Sequence, residues 1–311
     1  MHQYFAFDLS IQSELELPEL LESKTISAPA NVNIAIGQVP NEGIKNARQK
    51  TTFFQANEKE FWFHIKGVAR YLIVNGQDIT IEPYPFIDEA SIRVYLLGSC
   101  FGALLMQRGF TLIHGNAIQV GQNAITFAGH SGIGKSTLTA LLKQEGYPIL
   151  ADDVCAINEM GEVVPSYPQI KLWADMAKYL EIDTRGLRKI RPHIEKFAWP
   201  THESFCNKKR PLKQIYILSS HEKTTFEINT IYGSAKLKYL KEYTYRPQYL
   251  SGLGLSKKHA LKCVGLAQQV RIKSLVRPEN QRHMKLIIDA IEQDLKADSL
   301  NRSFSAANEA I

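Results

Sequence analysis

The stretch GHSGIGKST, residues 129–137, constrains the fold of this chain more than any other feature. It matches the pattern G-x-x-x-x-G-K-[ST], in which glycines let the backbone curl so that successive N–H groups point at phosphate oxygens. In such a loop, Lys135 supplies a point charge to the β- and γ-phosphates, and the Ser136 hydroxyl is a ligand for Mg²⁺. The helix that follows adds partial positive charge at its N-terminus.

The segments on either side of the loop favour the same interpretation. FTLIHGNAIQV and AITFAG are typical of strands, with GQN between them as a turn, and a helix is predicted from about Ser136 to Glu145, ended by Gly146. PILADD then predicts a short strand. This order is typical of a nucleotide-binding α/β unit. The residues expected to bind the nucleotide are Gly129, His130, Ser131, Gly132, Ile133, Gly134, Lys135, Ser136 and Thr137.

Two adjacent carboxylates, Asp152 and Asp153, follow the loop closely in the sequence. Phosphoryl transfer needs a carboxylate on the metal and often a second one on the nucleophile. Adjacent residues at a strand end point to opposite sides, so one can hold Mg²⁺ while the other accepts the proton of an incoming hydroxyl. His114, on the strand pair before the loop, is placed to hydrogen-bond a catalytic carboxylate and tune its pKa.

The spacing separates this chain from other proteins with such a loop. ABC-type ATPases place their carboxylate much farther along the chain and follow it with Glu. Ras-like GTPases carry N-K-x-D to recognise guanine, and NKKR at 207–210 lacks the Asp.

Outside this region the sequence predicts three parts. Residues 1–87 are typical of a small β-rich domain, with a hairpin at Asn75-Gly76, that serves either as a structural platform or as a docking surface. Residues 88–298 form the predicted catalytic domain. It opens with a helix over 88–108, capped by Asp88 and stopped by Gly109, and KLWADMAKYLE and residues 282–296 also favour helices. Residues 299–311 are expected to be a loose tail.

The composition of the chain restricts its partners and its cellular location. The chain has 311 residues and a net charge of +6, which does not by itself indicate nucleic acid. Its four cysteines form no CxxC pair, which argues against a zinc site and fits a reducing compartment. No signal peptide is visible, and the apolar run Val94–Met106 is too short to span a membrane. We therefore expect a cytoplasmic protein without nucleic-acid or membrane partners.

Residues 185–215 hold nine Lys or Arg against two acidic residues, which predicts a loop region facing something anionic.

Residues 110–157 resemble the catalytic core of HPr kinase/phosphorylase, which has an HG dipeptide, a GxSGxGKS loop and an ADD strand in this order. The resemblance implies an α/β fold of the phosphoenolpyruvate-carboxykinase-like P-loop type that uses ATP and Mg²⁺. It implies that Asp152 is the general base toward a serine hydroxyl, oriented by His114, and that Lys135 takes part in catalysis. Asp153 would lie near the metal with Ser136.

The chain departs from that family in its N-terminal segment, which does not resemble the usual N-terminal domain of HPr kinases, and in two motifs. Thr137 stands where HPr kinases have Glu, and SYPQIKLWAD replaces their RGLG signature. The whole layout is more similar to HPr-kinase-related proteins of peptide-tailoring clusters, whose lasso-peptide kinases phosphorylate the C-terminal serine of a ribosomally made precursor. This resemblance implies a peptide acceptor and leaves homo-oligomerisation open. The candidate substrate contacts are Lys171, Lys196 and Arg210.

Other functions stay open on the sequence alone. One is HPr serine kinase/phosphorylase, which regulates carbon metabolism, and another is a small-molecule kinase or carboxykinase-type enzyme. A third, from a different class, is a nucleotide-dependent binding module without phosphotransfer.

Overall fold

The computed structural model describes residues 1–23, 30–279 and 286–297, and the chain there has a mixed α/β fold with several sheets. The first part is the predicted β-rich segment. Within the described residues it forms a nine-stranded sheet with the order β3-β1-β2-β4-β9-β8-β7-β6-β5. The strands are β1 His2–Ala6, β2 Leu9–Ser13, β3 Leu21–Glu22, β4 Val32–Ile36, β5 Gln49–Lys50, β6 Phe54–Ala56, β7 Glu60–Ile65, β8 Ala69–Val74 and β9 Asp78–Pro83.

The hairpin predicted at Asn75-Gly76 is confirmed between β8 and β9. Asn75 and Gly76 have φ angles of 52° and 63°. Two consecutive left-handed residues are what a tight hairpin turn of the type favoured by right-twisted strands requires.

The predicted helix over 88–108 is confirmed, with one irregular turn. It comprises α1 Glu89–Tyr95, a π-helical turn Leu96–Cys100 and α2 Phe101–Gln107. A Cβ added at Gly98 or Gly102 would lie 3.3 Å or 2.9 Å from atoms of the Tyr245 side chain. The two glycines therefore let Tyr245 pack against the helix, and such π turns frequently occur beside functional sites.

Asp88 caps this helix, as predicted. Its side chain accepts from the Ser91 backbone N–H at 2.7 Å and from the Ser91 hydroxyl at 2.8 Å. We expect Asp88→Ala to lower the free energy of unfolding by about 1 kcal/mol, because the first helical turn loses its acceptor. Urea unfolding checks this. Asp88→Ser, which keeps a capping oxygen, should stay close to wild type, and equal stability of all three proteins would contradict the capping role.

A second sheet carries the glycine-rich loop. Within the described residues its order is β11-β10-β13-β14-β18-β20-β19, and β12 pairs with β10. β11, β18 and β20 run parallel, so the loop after β11 lies at the carboxyl edge of parallel strands, where α/β sheets bind ligands. The strands are β10 Thr111–Val120, β11 Asn123–Ala128, β12 Ile149–Ala151, β13 Val154–Ile157, β14 Glu162–Val164, β18 Arg210–His221, β19 Glu227–Ile231 and β20 Arg271–Pro278.

A small third sheet has the order β15-β17-β16, from β15 Gln169–Trp173, β16 Lys189–Arg191 and β17 Ile194–Pro200. It corrects two expectations. The KLW part of the predicted helix is strand, because it pairs with β17, and the helix covers only Ala174–Tyr179. The basic region 185–215 is not a loop, since it contains β16, β17 and the start of β18.

The remaining helices contact different sheets of the protein. A helix over 286–297 agrees with the predicted one where the chain is described, and residues 299–311 lie outside the described part. The others are α3 Lys135–Gln144, α4 Ala174–Tyr179, α5 Ser234–Glu242, α6 Tyr249–Gly252, α7 Ser256–Gln269 and a 3₁₀ turn His202–Ser204.

One hydrophobic core joins the first sheet to later parts of the chain. The cluster contains Phe54 and Phe61 of the first sheet, Phe101 of α2, and Tyr245 and Tyr249 from far along the chain. The two predicted domains thus share buried surface, and the boundary at residues 87/88 stays a prediction.

Among the described residues, the helical segment Glu89–Gln107 is long and apolar enough to cross a membrane. Of its most hydrophobic window, 72% is buried inside the protein. Such burial is typical of the core helix of a globular protein.

Candidate functional site

The glycine-rich loop joins β11 to α3, as the sequence predicts. Gly132 and Gly134 adopt φ angles of 85° and 103°, in the left-handed region that glycine favours. A Cβ at Gly129 would lie 2.9 Å from Ile133 Cγ2 and 3.0 Å from the Leu218 carbonyl oxygen. The buried Lys135 donates from Nζ to the Gly129 carbonyl at 2.7 Å and to the His130 carbonyl at 3.0 Å. Its ammonium group therefore lies inside the curve of the loop.

Arg277, near the end of β20, supports the loop at Ile133 and also lines the cavity beside the loop. Its Nη2 donates to the Ile133 carbonyl at 3.0 Å and its Nε to the same oxygen at 3.3 Å. Ile133 is among the predicted nucleotide contacts, but its side chain packs into the core below the loop. Its side chain thus anchors the loop, and its contact with the nucleotide stays a prediction.

Asp152 belongs to the loop side of the site. Its Oδ1 accepts from the Ser136 hydroxyl at 2.9 Å and from Asn116 Nδ2 at 2.6 Å, and its Oδ2 accepts from the Lys171 backbone N–H at 2.9 Å. The carboxylate is therefore bonded to the hydroxyl that the motif assigns to the metal.

Asp153 faces the other way. Its Oδ1 lies 3.4 Å from His114 Nδ1, and its Oδ2 accepts from Lys171 Nζ at 3.2 Å. The backbone of Asp153 has a φ of 75°, which is uncommon for a residue with a Cβ and is typical of functional sites. This conformation separates the directions of the two neighbouring carboxylates.

The resemblance implies that His114 orients Asp152 and that Asp153 lies near the metal; the contacts pair these side chains differently, and their catalytic roles stay predictions. His114 contacts Asp153, and the Ser136 hydroxyl contacts Asp152. His114 on β10 pairs with Val154, and the left-handed φ of Asp153 interrupts the usual alternation of side chains, so that Asp153 contacts His114.

The two carboxyl groups differ in acidity. Burial raises the pKa of Asp152, although the Lys171 charge opposes the shift. Burial would also raise the pKa of Asp153, but Lys171 and His114 outweigh it and hold that pKa at about 2. Burial, together with the charge of Lys135, lowers the pKa of His114, so its ring is neutral at neutral pH. A neutral His and an ionised Asp153 thus lie side by side.

A cavity of about 180 Å³, here called the loop cavity, brings most predicted site residues together. Lys171 and Lys196 line it, although the Lys171 ammonium is already bonded to Asp153. Arg210 does not line it, because it opens β18, whose other end adjoins the loop roughly 20 Å away at strand spacing. The lining from the predicted set is His114, Ser131, Gly132, Gly134, Lys135, Ser136, Thr137, Asp152, Asp153, Lys171 and Lys196.

The donor set fits a magnesium ion that is shared with phosphate. Mg²⁺ takes oxygen ligands and is commonly held by one or two carboxylates plus substrate phosphates. Ser136 and Asp152 present such oxygens next to the loop. Among the described residues no group of three or more His, Cys, Asp or Glu could hold a metal by itself.

Asn116 is a site residue that the sequence reasoning missed. It is buried on β10, two residues after His114 and hence on the same face of the strand, and its Oδ1 accepts from the Asp153 backbone N–H at 3.3 Å. Its amide therefore connects both aspartates. The i, i+2 spacing in IHGN is the signal that would have found it.

We expect Asn116→Ala to weaken Mg²⁺-dependent nucleotide binding about 10-fold, because Asp152 loses the amide that orients it. Titration of Mg²⁺ at a fixed concentration of a fluorescent ATP analogue measures this. Asn123→Ala, at the start of β11, is the matched control, and equal affinities for both variants would contradict a positioning role.

No family model matches the chain, and no curated protein does. Among solved structures, the chain is similar to the HPr(Ser) kinase/phosphatase from Coxiella burnetii, with 14% identity over 62% of this chain and 95% of that one and a TM-score of 0.33.

Proposed function

We propose that this protein is an ATP-dependent kinase that transfers the γ-phosphate to a serine hydroxyl of a peptide, and that the acceptor is the C-terminal serine of a lasso-peptide precursor. The observation that carries the kinase proposal is the division of the adjacent carboxylates. Asp152 is bonded to the loop hydroxyl of Ser136, while Asp153 is paired with His114 on the other side. A nucleotide-binding module without phosphotransfer has no need for the contact between Asp153 and His114.

The loop side binds the phosphates in this proposal. Lys135 exchanges its bonds to the loop carbonyls for bonds to phosphate oxygens, and the loop N–H groups add further donors. Mg²⁺, held with the phosphates by Ser136 and Asp152, would neutralise charge as the phosphoryl group leaves. Arg277 keeps the loop in shape through the Ile133 carbonyl.

Asp153 acts on the acceptor. Its carboxylate accepts a hydrogen bond from the serine hydroxyl and takes the proton as the new phosphorus–oxygen bond forms and the bond from the γ-phosphorus to the leaving ADP breaks. A pKa of about 2 makes Asp153 a weak base, but phosphoryl transfer through a loose transition state needs positioning more than base strength. Neutral His114 orients the carboxylate and Lys171 balances its charge.

Incubation with ATP, Mg²⁺ and either HPr or the precursor peptides encoded beside the gene tests this proposal. Mass spectrometry of the peptides should show one phosphoryl group on the C-terminal serine of a precursor. Transfer to HPr alone would support the HPr kinase alternative. Nucleotide binding with no transfer to any acceptor would favour the binding module.

A further inference from the structure

A second cavity meets the site on the side of Asp153. This cavity of about 330 Å³, here called the acceptor cavity, lies between the first residues of the loop and residues 242–246. It shares only His114, Ser131 and Asp153 with the described lining of the loop cavity. Asp153 thus faces both cavities, and in-line transfer requires the acceptor to approach from the side opposite the nucleotide.

Arg246 connects the acceptor cavity to a third one. It lines the acceptor cavity and also a cavity of about 420 Å³, here called the aromatic cavity. Both volumes fall in the range of small-ligand pockets, roughly 300–1,000 Å³. The aromatic cavity is lined mainly by the end of the first sheet, α1 and α6, through Phe53, Phe54, Phe63, Ile65, Tyr95 and Tyr249.

The charge of Arg246 is presented to these cavities. Its guanidinium carbon lies 5.6 Å from the centre of the Tyr245 ring, and no ion pair with a carboxylate forms in the described part of the chain. Its backbone has a φ of 49° directly before Pro247, a conformation that residues before proline rarely adopt. An arginine held in this way is well suited to bind a ligand carboxylate.

We propose that the acceptor and aromatic cavities together bind the carboxyl-terminal end of the acceptor peptide. Arg246 binds the terminal carboxylate, and the aromatic cavity takes an apolar side chain from the residue before the serine. This rests on the proposed kinase function. Because Arg246 and Asp153 line one cavity, the carboxylate and the hydroxyl belong close together, as they do in a C-terminal serine.

The proposal gives the first sheet a role in substrate binding. Phe53 is 60% exposed at the turn between β5 and β6 and lines the aromatic cavity, whereas Phe54 and Phe63 are buried beneath it. An exposed aromatic ring beside a mostly apolar cavity is an expected contact for an incoming side chain. Phe53 can be changed with little effect on the core.

The test uses four acetylated pentapeptides that end in Phe-Ser or Ala-Ser, each as free acid and as amide, with the full-length protein. We expect kcat/KM to be about tenfold higher for acids than for amides, the order for one charge-assisted pair. Arg246→Ala should abolish this ratio, while Phe53→Ala should lower the preference for Phe-Ser over Ala-Ser. Because each preference is a ratio of two kcat/KM values for the same protein, a general loss of activity in a variant cancels.

Matched controls are Arg185→Ala, whose side chain is 91% exposed, and Phe86→Ala, whose ring is exposed on the surface. Both should keep both preferences. Equal use of acid and amide, or a preference that survives Arg246→Ala, overturns the subsite but leaves a kinase intact. If no peptide gains phosphate, the affinities of the four peptides for the protein, measured directly, distinguish failure of the subsite from failure of the kinase proposal. If the protein binds the acids more tightly than the amides in a way that depends on Arg246, but transfers no phosphate, the result supports the subsite and contradicts the kinase proposal. If the peptides neither bind nor gain phosphate, both proposals are overturned.

Discussion

Lys135→Ala is expected to lower kcat/KM for ATP by about 100-fold or more, the range seen when one preorganised donor to a developing charge is removed. Lys135 is buried, and its Nζ is held inside the loop by two carbonyl oxygens. Burial lowers the pKa of Lys135, and the charges of Asp153 and Asp152 oppose this shift. Isothermal titration with ATP and Mg²⁺ and a kinetic assay measure the loss.

Lys143→Ala is the matched control for Lys135→Ala. Lys143 lies on the same helix, but its Nζ is 4.1 Å from the centre of the Trp199 ring and does not line the loop cavity. This variant should keep its affinity for ATP. Unchanged ATP binding in Lys135→Ala would mean that the glycine-rich stretch is only a turn.

The second large effect separates the two aspartates. Asp153→Asn should lower the rate of phosphoryl transfer roughly 100-fold or more and leave ATP affinity within a few-fold, because only the hydroxyl's acceptor is lost. Asp152→Asn should instead weaken Mg²⁺-dependent ATP binding, because Ser136 and the ion lose their carboxylate. Single-turnover assays and ATP titrations, with and without Mg²⁺, distinguish these results.

The opposite pattern would restore the assignment implied by the resemblance. Transfer lost in Asp152→Asn with metal-dependent binding intact would make Asp152 the base. Full transfer in both variants would contradict a catalytic role for the pair.

Local patterns predicted much of the fold. The hairpin at Asn75-Gly76, the cap at Asp88, the loop and the helix after it are determined by residues close together in the sequence, and the structure has each of them. The strand content of residues 185–215 was missed, because its charges are typical of a loop. In the structure, β17 buries Phe197 and Ala198 against the protein while its charged residues stay at least partly accessible.

The candidate site was predictable in its parts but not in its arrangement. Which aspartate meets His114 depends on the register of β10 against β13 and on the left-handed φ of Asp153, and neither is visible in the sequence. Arg246 and Arg277 reach the site from more than ninety residues beyond Asp153, so only the tertiary fold brings them there.

The central claim is that the γ-phosphate moves from the loop to a serine hydroxyl beside Asp153. Phosphorus NMR of a reaction with ATP, Mg²⁺ and a peptide ending in an apolar residue and serine follows that phosphate directly. We expect a phosphoserine ester signal to grow as the γ-phosphate signal of ATP falls, and Asp153→Asn to suppress it. Release of inorganic phosphate alone, or no loss of ATP, would contradict the claim.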